Sequence, residues 1–185
     1  MFRQTQEEEL KQLIAECKQE KRRAQHRLFK KFYGTAKAVC MRYAQSEEEA
    51  EDMVSEGFMK VFSHLENFQE GSFEAWLKRI MVNSSIDYQR RYHTLTVMVN
   101  YEELPEMEVS GFDQNKALSK ISSDELLTLI QQLPPVSRSV FNLYVFEDCP
   151  HAEIAQILGI KEGTSHWHLN FARNKLKQLI QENNR

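Results

Sequence analysis

The chain has 185 residues, 41% hydrophobic and 28% charged, with only 6 glycines and 4 prolines. That composition excludes a collagenous or low-complexity polymer and points to an all-α protein built as one large domain or two small ones. A formal net charge of -3 excludes a chain that grips nucleic acid through bulk positive charge alone.

From Glu7 to Ala44 the apolar residues recur at helical spacing. Leu10, Leu13, Ile14 and Cys17 form one stripe; Leu28, Phe29, Phe32, Tyr33, Ala36, Val39, Cys40 and Tyr43 form a longer one. Two helices follow, with a break between Lys18 and Gln25 in the charged run KQEKRRAQ. The basic residues of that run could touch phosphates, but a solvated helix face is the commoner meaning of such a run. The N-terminal segment is too charged for a signal peptide, and no apolar run approaches the ~20 residues needed to span a bilayer, so a cytoplasmic protein is expected. Cys17, Cys40 and Cys149 are widely separated and lack Cys-x-x-Cys spacing, which suggests neither a disulfide framework nor zinc.

Ser46 opens the next helix with a capping-box pattern, because Glu49 stands three residues on and can bond the cap's amide. Its apolar face is Ala50, Met53, Val54, Phe58, Val61, Phe62 and Leu65. The opposite face carries Glu48, Glu51, Asp52, Ser55 and Glu56. Early acidic residues suit the helix dipole, and they equally suit a docking surface for a basic partner. Asn67 to Gly71 is a polar loop, and Ser72 caps a helix to about Arg91 with Phe73, Trp76, Leu77 and Ile80 buried. Along another side of that helix, Arg79, Asn83, Ile86, Asp87 and Arg90 form an exposed ridge whose Asn and Arg suit base edges and phosphates.

Periodicity is lost over residues 93–122, where a β-prone run, TLTVMV, precedes an acidic stretch with a proline and a glycine. This reads as a linker between a domain at 1–92 and another at 123–185. Ser123 or Asp124 caps a helix through Leu133, and Pro135 sits in the first turn of the next, Val136 to about Phe146. Val140, Phe141, Leu143, Tyr144 and Phe146 then cover a helix-turn-helix pair. In that pair Ile154, Ala155, Ile157 and Leu158 face inward, Gly159 closes the first helix in a positive φ, and Ile160 plugs the turn. Leu169, Ala172 and Leu176 are the inward stripe of the last helix, leaving Ser165, His166, His168, Asn170, Arg173 and Lys177 to solvent or a ligand. Hydroxyls, imidazoles and an amide in the first turns can bond base edges in a major groove.

Charge is segregated along the chain. Residues 1–46 hold 11 Lys or Arg against 5 Asp or Glu, residues 47–92 hold 5 against 10, residues 93–125 hold 2 against 7, and residues 126–185 hold 6 against 5. More than one kind of partner surface is implied.

These stretches together resemble the bacterial RNA polymerase sigma factors of the extracytoplasmic-function (ECF) group. LFKKFYGTAKAVCMRYAQSEEEAEDMVSEGFMKVFSHL is similar to the first sections of sigma-2, and GSFEAWLKRIMVNSSIDYQRR to its promoter-reading helix. The segment from Leu126 to Leu176, with EIAQILGIKEGT inside it, is similar to sigma-4. The resemblance covers nearly everything outside the linker, and the three motifs in this order are highly specific. It implies two small helical domains joined by a flexible acidic linker, binding to core RNA polymerase and promoter DNA, and control by an anti-sigma factor. Glu48, Glu51, Asp52, Ser55 and Glu56 would bind core polymerase. The resemblance gives the minus-ten element to Asn67, Phe68, Ser72, Trp76, Lys78, Arg79, Asn83, Asp87 and Arg90. Glu162, Thr164, Ser165, His166, His168, Asn170 and Arg173 would meet the minus-thirty-five element. The loop from Asn67 to Ser72 would hold a flipped base.

The chain also departs from the family pattern. Pro150 stands where a Ser usually caps the first helix of the pair, and Lys161 where a Ser usually caps the second. Thr164-Ser165-His166-Trp167-His168-Leu169 replaces the familiar Thr-Val-Lys-Ser-Arg-Leu, removing the usual Lys and Arg phosphate contacts. Trp167 is expected to pack inward against Phe171.

Other classes fit less well. His166 and His168 stand two apart, about 200° round a helix, so they face different ways and suggest no metal; no cofactor or catalytic constellation is expected. A helix-turn-helix regulator acting without core polymerase is the alternative reading, though it would need a sensor or dimerisation domain; a protein-only adaptor is a third.

Overall fold

The computed structural model describes residues 2–69, 71–92 and 122–183. The expected linker at 93–121, including the β-prone run TLTVMV, lies outside them. Among the described residues every regular element is helical, as expected for an all-α chain. The chain divides into two compact units, Met1–Asp87 and Tyr88–Arg185.

The first unit contains α1 (Phe2–Lys18), α2 (Arg22–Met41), α3 (Glu47–Ser63), a 3-10 turn over Leu65–Asn67 and α4 (Phe73–Tyr92), which runs on past its boundary. The expected break in KQEKRRAQ is the turn from α1 to α2, where Glu20 adopts φ 56°. α1 packs on α2, where Leu13, Ile14 and Cys17 of the one and Leu28, Phe32 and Ala36 of the other are buried, and α2 packs on α3; Met53, Val54, Phe58 and Val61 of α3 and Leu77 and Met81 of α4 are buried too, with Met81 coming against Gly57. Gly57 permits that approach, since a Cβ there would strike the Met81 thioether. The Ser46 hydroxyl accepts from the Glu49 amide at 3.2 Å, as expected, while the Glu49 carboxylate accepts from the Gln45 amide at 2.9 Å, one residue before the cap. Burial pushes the Cys40 thiol up to about 11; burial and the neighbouring Glu16 carboxylate do the same for Cys17, so neither is a ready thiolate.

The second unit contains α5 (Ser123–Gln131), α6 (Pro135–Val145), α7 (His151–Leu158) and α8 (Glu162–Asn183). Its entry corrects one expectation. The cap of α5 is Ser122, not Ser123 or Asp124, and it forms a full capping box with Glu125. Pro135 opens α6 as expected. This helix is enclosed from Ser137 to Leu143, and the Arg138 guanidinium donates to the Gln131 carbonyl at the end of α5. Phe146, expected to cover the helix pair, is instead 40% exposed because α6 ends before it. Gly159 closes α7 at φ 69°, and the Ile160 amide donates back to the Ala155 carbonyl at 3.0 Å, which sets the exit into α8.

Candidate functional site

Three surfaces carry the expected contact residues. On α3, Glu48, Glu51, Asp52 and Ser55 are exposed and Glu56 is half-buried. The Glu48 carboxyl is held below the usual range by its own backbone amide at the helix start and by the Ser46 hydroxyl. Glu51 is engaged within the fold: Lys37 of α2 lies 3.3 Å from it and 2.5 Å from Glu47, and the Tyr33 hydroxyl stands at 3.4 Å. The bond from Glu47 holds the Lys37 ammonium well above the usual lysine range. Asp52 and Glu56 stand one turn apart on the same acidic face, with Met59, 65% exposed, one turn further.

The loop before α4 is pinned at several points. Asn67 ends the 3-10 turn and is exposed. Phe68 stands edge-on to Phe73 at 5.4 Å and lies 5.3 Å from Trp76, and Phe73 and Trp76 meet at 5.6 Å, so three rings anchor the segment from beneath. Lys18 at the end of α1 donates to the Phe68 carbonyl at 3.0 Å. Gly71 takes φ 116°, and the exposed Ser72 hydroxyl accepts from the Ala75 amide at 3.2 Å, capping α4 as expected. The arrangement is a rigid frame with exposed polar residues at its rim.

Along α4, Arg79, Asn83 and Arg90 are exposed and Lys78 and Asp87 half-exposed. Lys78 pairs with Glu74 at 2.7 Å, and Lys60 of α3 reaches Asp87 at 2.8 Å, which holds the ridge against α3. Ile86, expected on this ridge, is instead buried at 2% exposure. The apolar stripe of α4 is wide enough to take it, because Met81, Val82 and Ile86 extend the contact beyond Leu77.

The start of α8 differs most from expectation. Ser165 and His168, expected to face solvent or a ligand, and Thr164, expected with them to meet the minus-thirty-five element, are 0%, 5% and 2% exposed. The inward stripe of α8 begins a turn earlier than its apolar residues suggest and runs Thr164, Ser165, His168, Leu169, Ala172, Leu176, Ile180. Two of its polar atoms are matched from other helices, while Thr164 Oγ1 and His168 Nε2 are buried without a hydrogen-bond partner. The Ser137 hydroxyl of α6 meets His168 Nδ1 at 2.9 Å, and Ser165 Oγ meets His151 Nδ1 of α7 at 2.8 Å. Burial lowers the His168 pKa to about 4.

Left outward on α8 are Glu162 and His166, with Asn170 and Arg173 half-buried. The His166 ring lies on His151, His151 on Tyr144, and the Arg173 guanidinium over the other side of the column at 5.4 Å from the Tyr144 ring. The His151 pKa is lowered by burial first and by His166 second, with Glu162 pulling the other way. Trp167 stacks on Phe171 at 5.3 Å, the packing pose expected for it. Tyr144 and His151 were not legible as site residues; the one available signal was a His at the first position of a helix facing a His of its partner. Among the described residues no three His, Cys, Asp or Glu side chains form a group fit to hold a metal ion, and no helix is long and apolar enough to cross a membrane.

Residues 28–94 match the family described as Sigma-70 region 2, and residues 123–176 match Sigma-70, region 4. The chain is 30% identical over 145 residues to the ECF RNA polymerase sigma factor SigE of Mycolicibacterium smegmatis, an alignment spanning 77% of this chain and 56% of that protein. It therefore spans little more than half the length of that relative. It is 26% identical over 194 residues to the RNA polymerase sigma-H factor of Pseudomonas aeruginosa, spanning 96% of each. With the ECF RNA polymerase sigma factor SigM of Bacillus subtilis it shares 28% identity over 134 residues, 70% of this chain and 78% of that protein. The two matched regions together span more than half of the chain and take in the acidic helix, the pinned loop, the α4 ridge and the helix-turn-helix, so the chain belongs to the sigma-70 family, within its ECF group.

Proposed function

We infer that this chain is a transcription initiation factor that binds core RNA polymerase and directs it to particular promoters. The observation that carries this reading is the presence, in one chain, of a region-2 match over 28–94 and a region-4 match over 123–176. A protein of this kind acts by differential binding, so no catalytic residue, metal or cofactor is assigned. It works in the cytoplasm, where its polymerase and promoters are.

Each surface takes one role. Residues 1–92 dock on polymerase and open DNA, residues 93–122 link, and residues 123–185 hold the upstream element. Asp52 and Glu56 supply the charge for a basic coiled coil of the polymerase, with Glu48 and Ser55 beside them. Asn67, Phe68 and Ser72 form the rim that accepts a base flipped from the non-template strand, a step costing a few kcal/mol of unstacking that protein contacts must offset. Lys78, Arg79, Asn83 and Arg90 line the strand as it leaves that rim. Glu162, His166, Asn170 and Arg173 face the minus-thirty-five major groove; Thr164, Ser165 and His168 act from inside by fixing α8. An anti-sigma factor that covers the docking surfaces is the expected regulator.

Transcription in vitro with purified core enzyme, followed by mapping of transcript starts, tests this reading. Initiation at defined sites only when the chain is added is the expected result. A regulator acting without polymerase would bind DNA yet fail to be retained on immobilised core enzyme, and that outcome would replace the initiation role.

A further inference from the structure

The densest positive charge on the first unit lies on a surface given no role above. Lys21, Arg22, Arg23, Arg27, Lys30 and Lys31 crowd the start of α2 and are all exposed. Arg23, Arg27 and Lys30 or Lys31 stand three and four residues apart, so they form one face that advances about 6 Å per four residues. Arg27 alone of the six approaches a carboxylate among the described residues, Glu16 at 4.0 Å, and its side chain remains 68% exposed. His26, Arg27, Lys30 and Lys31 also line a groove against Glu9 and Leu13 of α1.

This charge is poorly placed for the stability of α2. Its first turn has no acidic residue, Lys21 occupies the N-cap without a side-chain cap bond, and Arg22 and Arg23 follow directly. Cations there oppose the helix dipole, which favours anions at an N-terminus. A solvated face retained for helix stability would carry the opposite sign, so an external anion accounts better for the arrangement. Position then selects the anion. Lys18, the last residue of α1, bonds the Phe68 carbonyl in the loop assigned to the flipped base, which places the basic turn beside that loop.

We propose that the α1–α2 turn and the basic face of α2 bind the phosphodiester backbone of promoter DNA next to the opened minus-ten segment, without reading sequence. The inference rests on the initiation role given above. Contacts of this type neutralise phosphates and release counterions, so they appear as salt dependence rather than as base preference.

The test uses the full chain with core polymerase and a fluorescent fork-junction DNA carrying a promoter found by transcript-start mapping. Arg22→Gln, Arg23→Gln, Lys30→Gln and Lys31→Gln are combined in one variant, and the slope of log affinity against log salt is measured. With ~0.9 counterion released per duplex phosphate and four charges removed, the slope should become shallower by about 3.6. The loss should be equal on promoters of different sequence, with start sites and core affinity unchanged. Arg22→Lys with Arg23→Lys should keep the wild-type slope, and circular dichroism should show the Gln variant as helical as the wild type. A wild-type slope in the Gln variant overturns the proposal. A loss of core affinity with an unaltered slope overturns it too and identifies an acidic protein as the occupant. A wild-type chain that does not initiate with core polymerase overturns the initiation role itself, and this is visible before any substitution is made.

Discussion

The imidazole of His166 lies face to face on that of His151, with centroids 3.7 Å apart and planes 30° from parallel. Tyr144 stacks beneath His151 at 4.8 Å, so α6, α7 and α8 each supply a member of the column that holds His166 at the solvent edge. Aromatic contacts of this kind contribute about 0.5–1.5 kcal/mol. Tyr144→Ala or His151→Ala is expected to weaken binding to minus-thirty-five DNA by up to about tenfold, with core affinity unchanged. A variant that binds DNA as the wild type does would show that His166 needs no such support.

His168 makes an opposite kind of prediction. Its ring is buried on Ser137, and burial brings its pKa down to about 4 from an unfolded value near 6.5. The fold therefore favours neutral imidazole. Its contribution is fully present above pH about 6.5 and is lost as pH falls from there through about 4, because the unfolded chain takes up the proton first. The expected loss is on the order of 3 kcal/mol once pH is below 4. Melting of the full chain between pH 7 and 4, compared with His168→Gln, isolates this part: the substituted chain should start less stable and fall less steeply. Parallel pH profiles for the two chains would rule out a proton-linked role for this residue.

What could be read from the sequence and what could not follow from the range of the interactions. Ser46 with Glu49, Ser72, Pro135 and Gly159 act within one helical turn, and each stands where local chemistry puts it. Ser122 is not legible as the cap although its Glu125 partner is also local, because the aperiodic stretch runs through it and Ser123 and Asp124 offer competing caps. The buried polar side of α8 had no local signal at all. Ser137 and His168 meet across 31 positions, and polarity alone placed His168 and Ser165 outside. Their partners on α6 and α7 offset part of the cost of burying them, a cost that the unpartnered Nε2 of His168 still carries.

The acidic face of α3 separates into two classes of carboxylate. Glu51 is tied to Lys37 and Tyr33 of α2, while Asp52 is exposed and Glu56 half-buried one turn along. Asp52→Lys with Glu56→Lys is expected to weaken core-polymerase binding strongly while changing stability by under ~0.5 kcal/mol, as surface substitutions usually do. Glu51→Gln should instead leave core affinity within about twofold, because the pair it loses is an exposed one of ~0–1 kcal/mol. Equal core affinity for the double variant and the wild type removes the docking role from this face.

Asn83 stands exposed on α4 between Arg79 and the Lys60–Asp87 pair, about two turns along the same helix from Trp76 of the three-ring frame that fixes the loop. Its amide can both donate and accept, which suits the edge of an unpaired base, and Asn83→Ala removes that capacity without touching the buried stripe. The expected effect is a loss of open complex at a promoter found by transcript-start mapping, by roughly tenfold for one lost hydrogen bond of ~1–2 kcal/mol, with core affinity unchanged. Lys60→Met supplies the comparison. It removes the ammonium paired with Asp87 beside Asn83, and since both partners of that pair are partly exposed the change in stability should stay below about 1 kcal/mol. Loss of this positive charge next to the strand should nevertheless reduce melting, because the Asp87 carboxylate repels phosphate more strongly without it. Permanganate footprinting reads both effects directly. Normal thymine reactivity across the minus-ten segment in Asn83→Ala would make Asn83 an ordinary surface residue, and normal reactivity in Lys60→Met would place the strand away from Asp87.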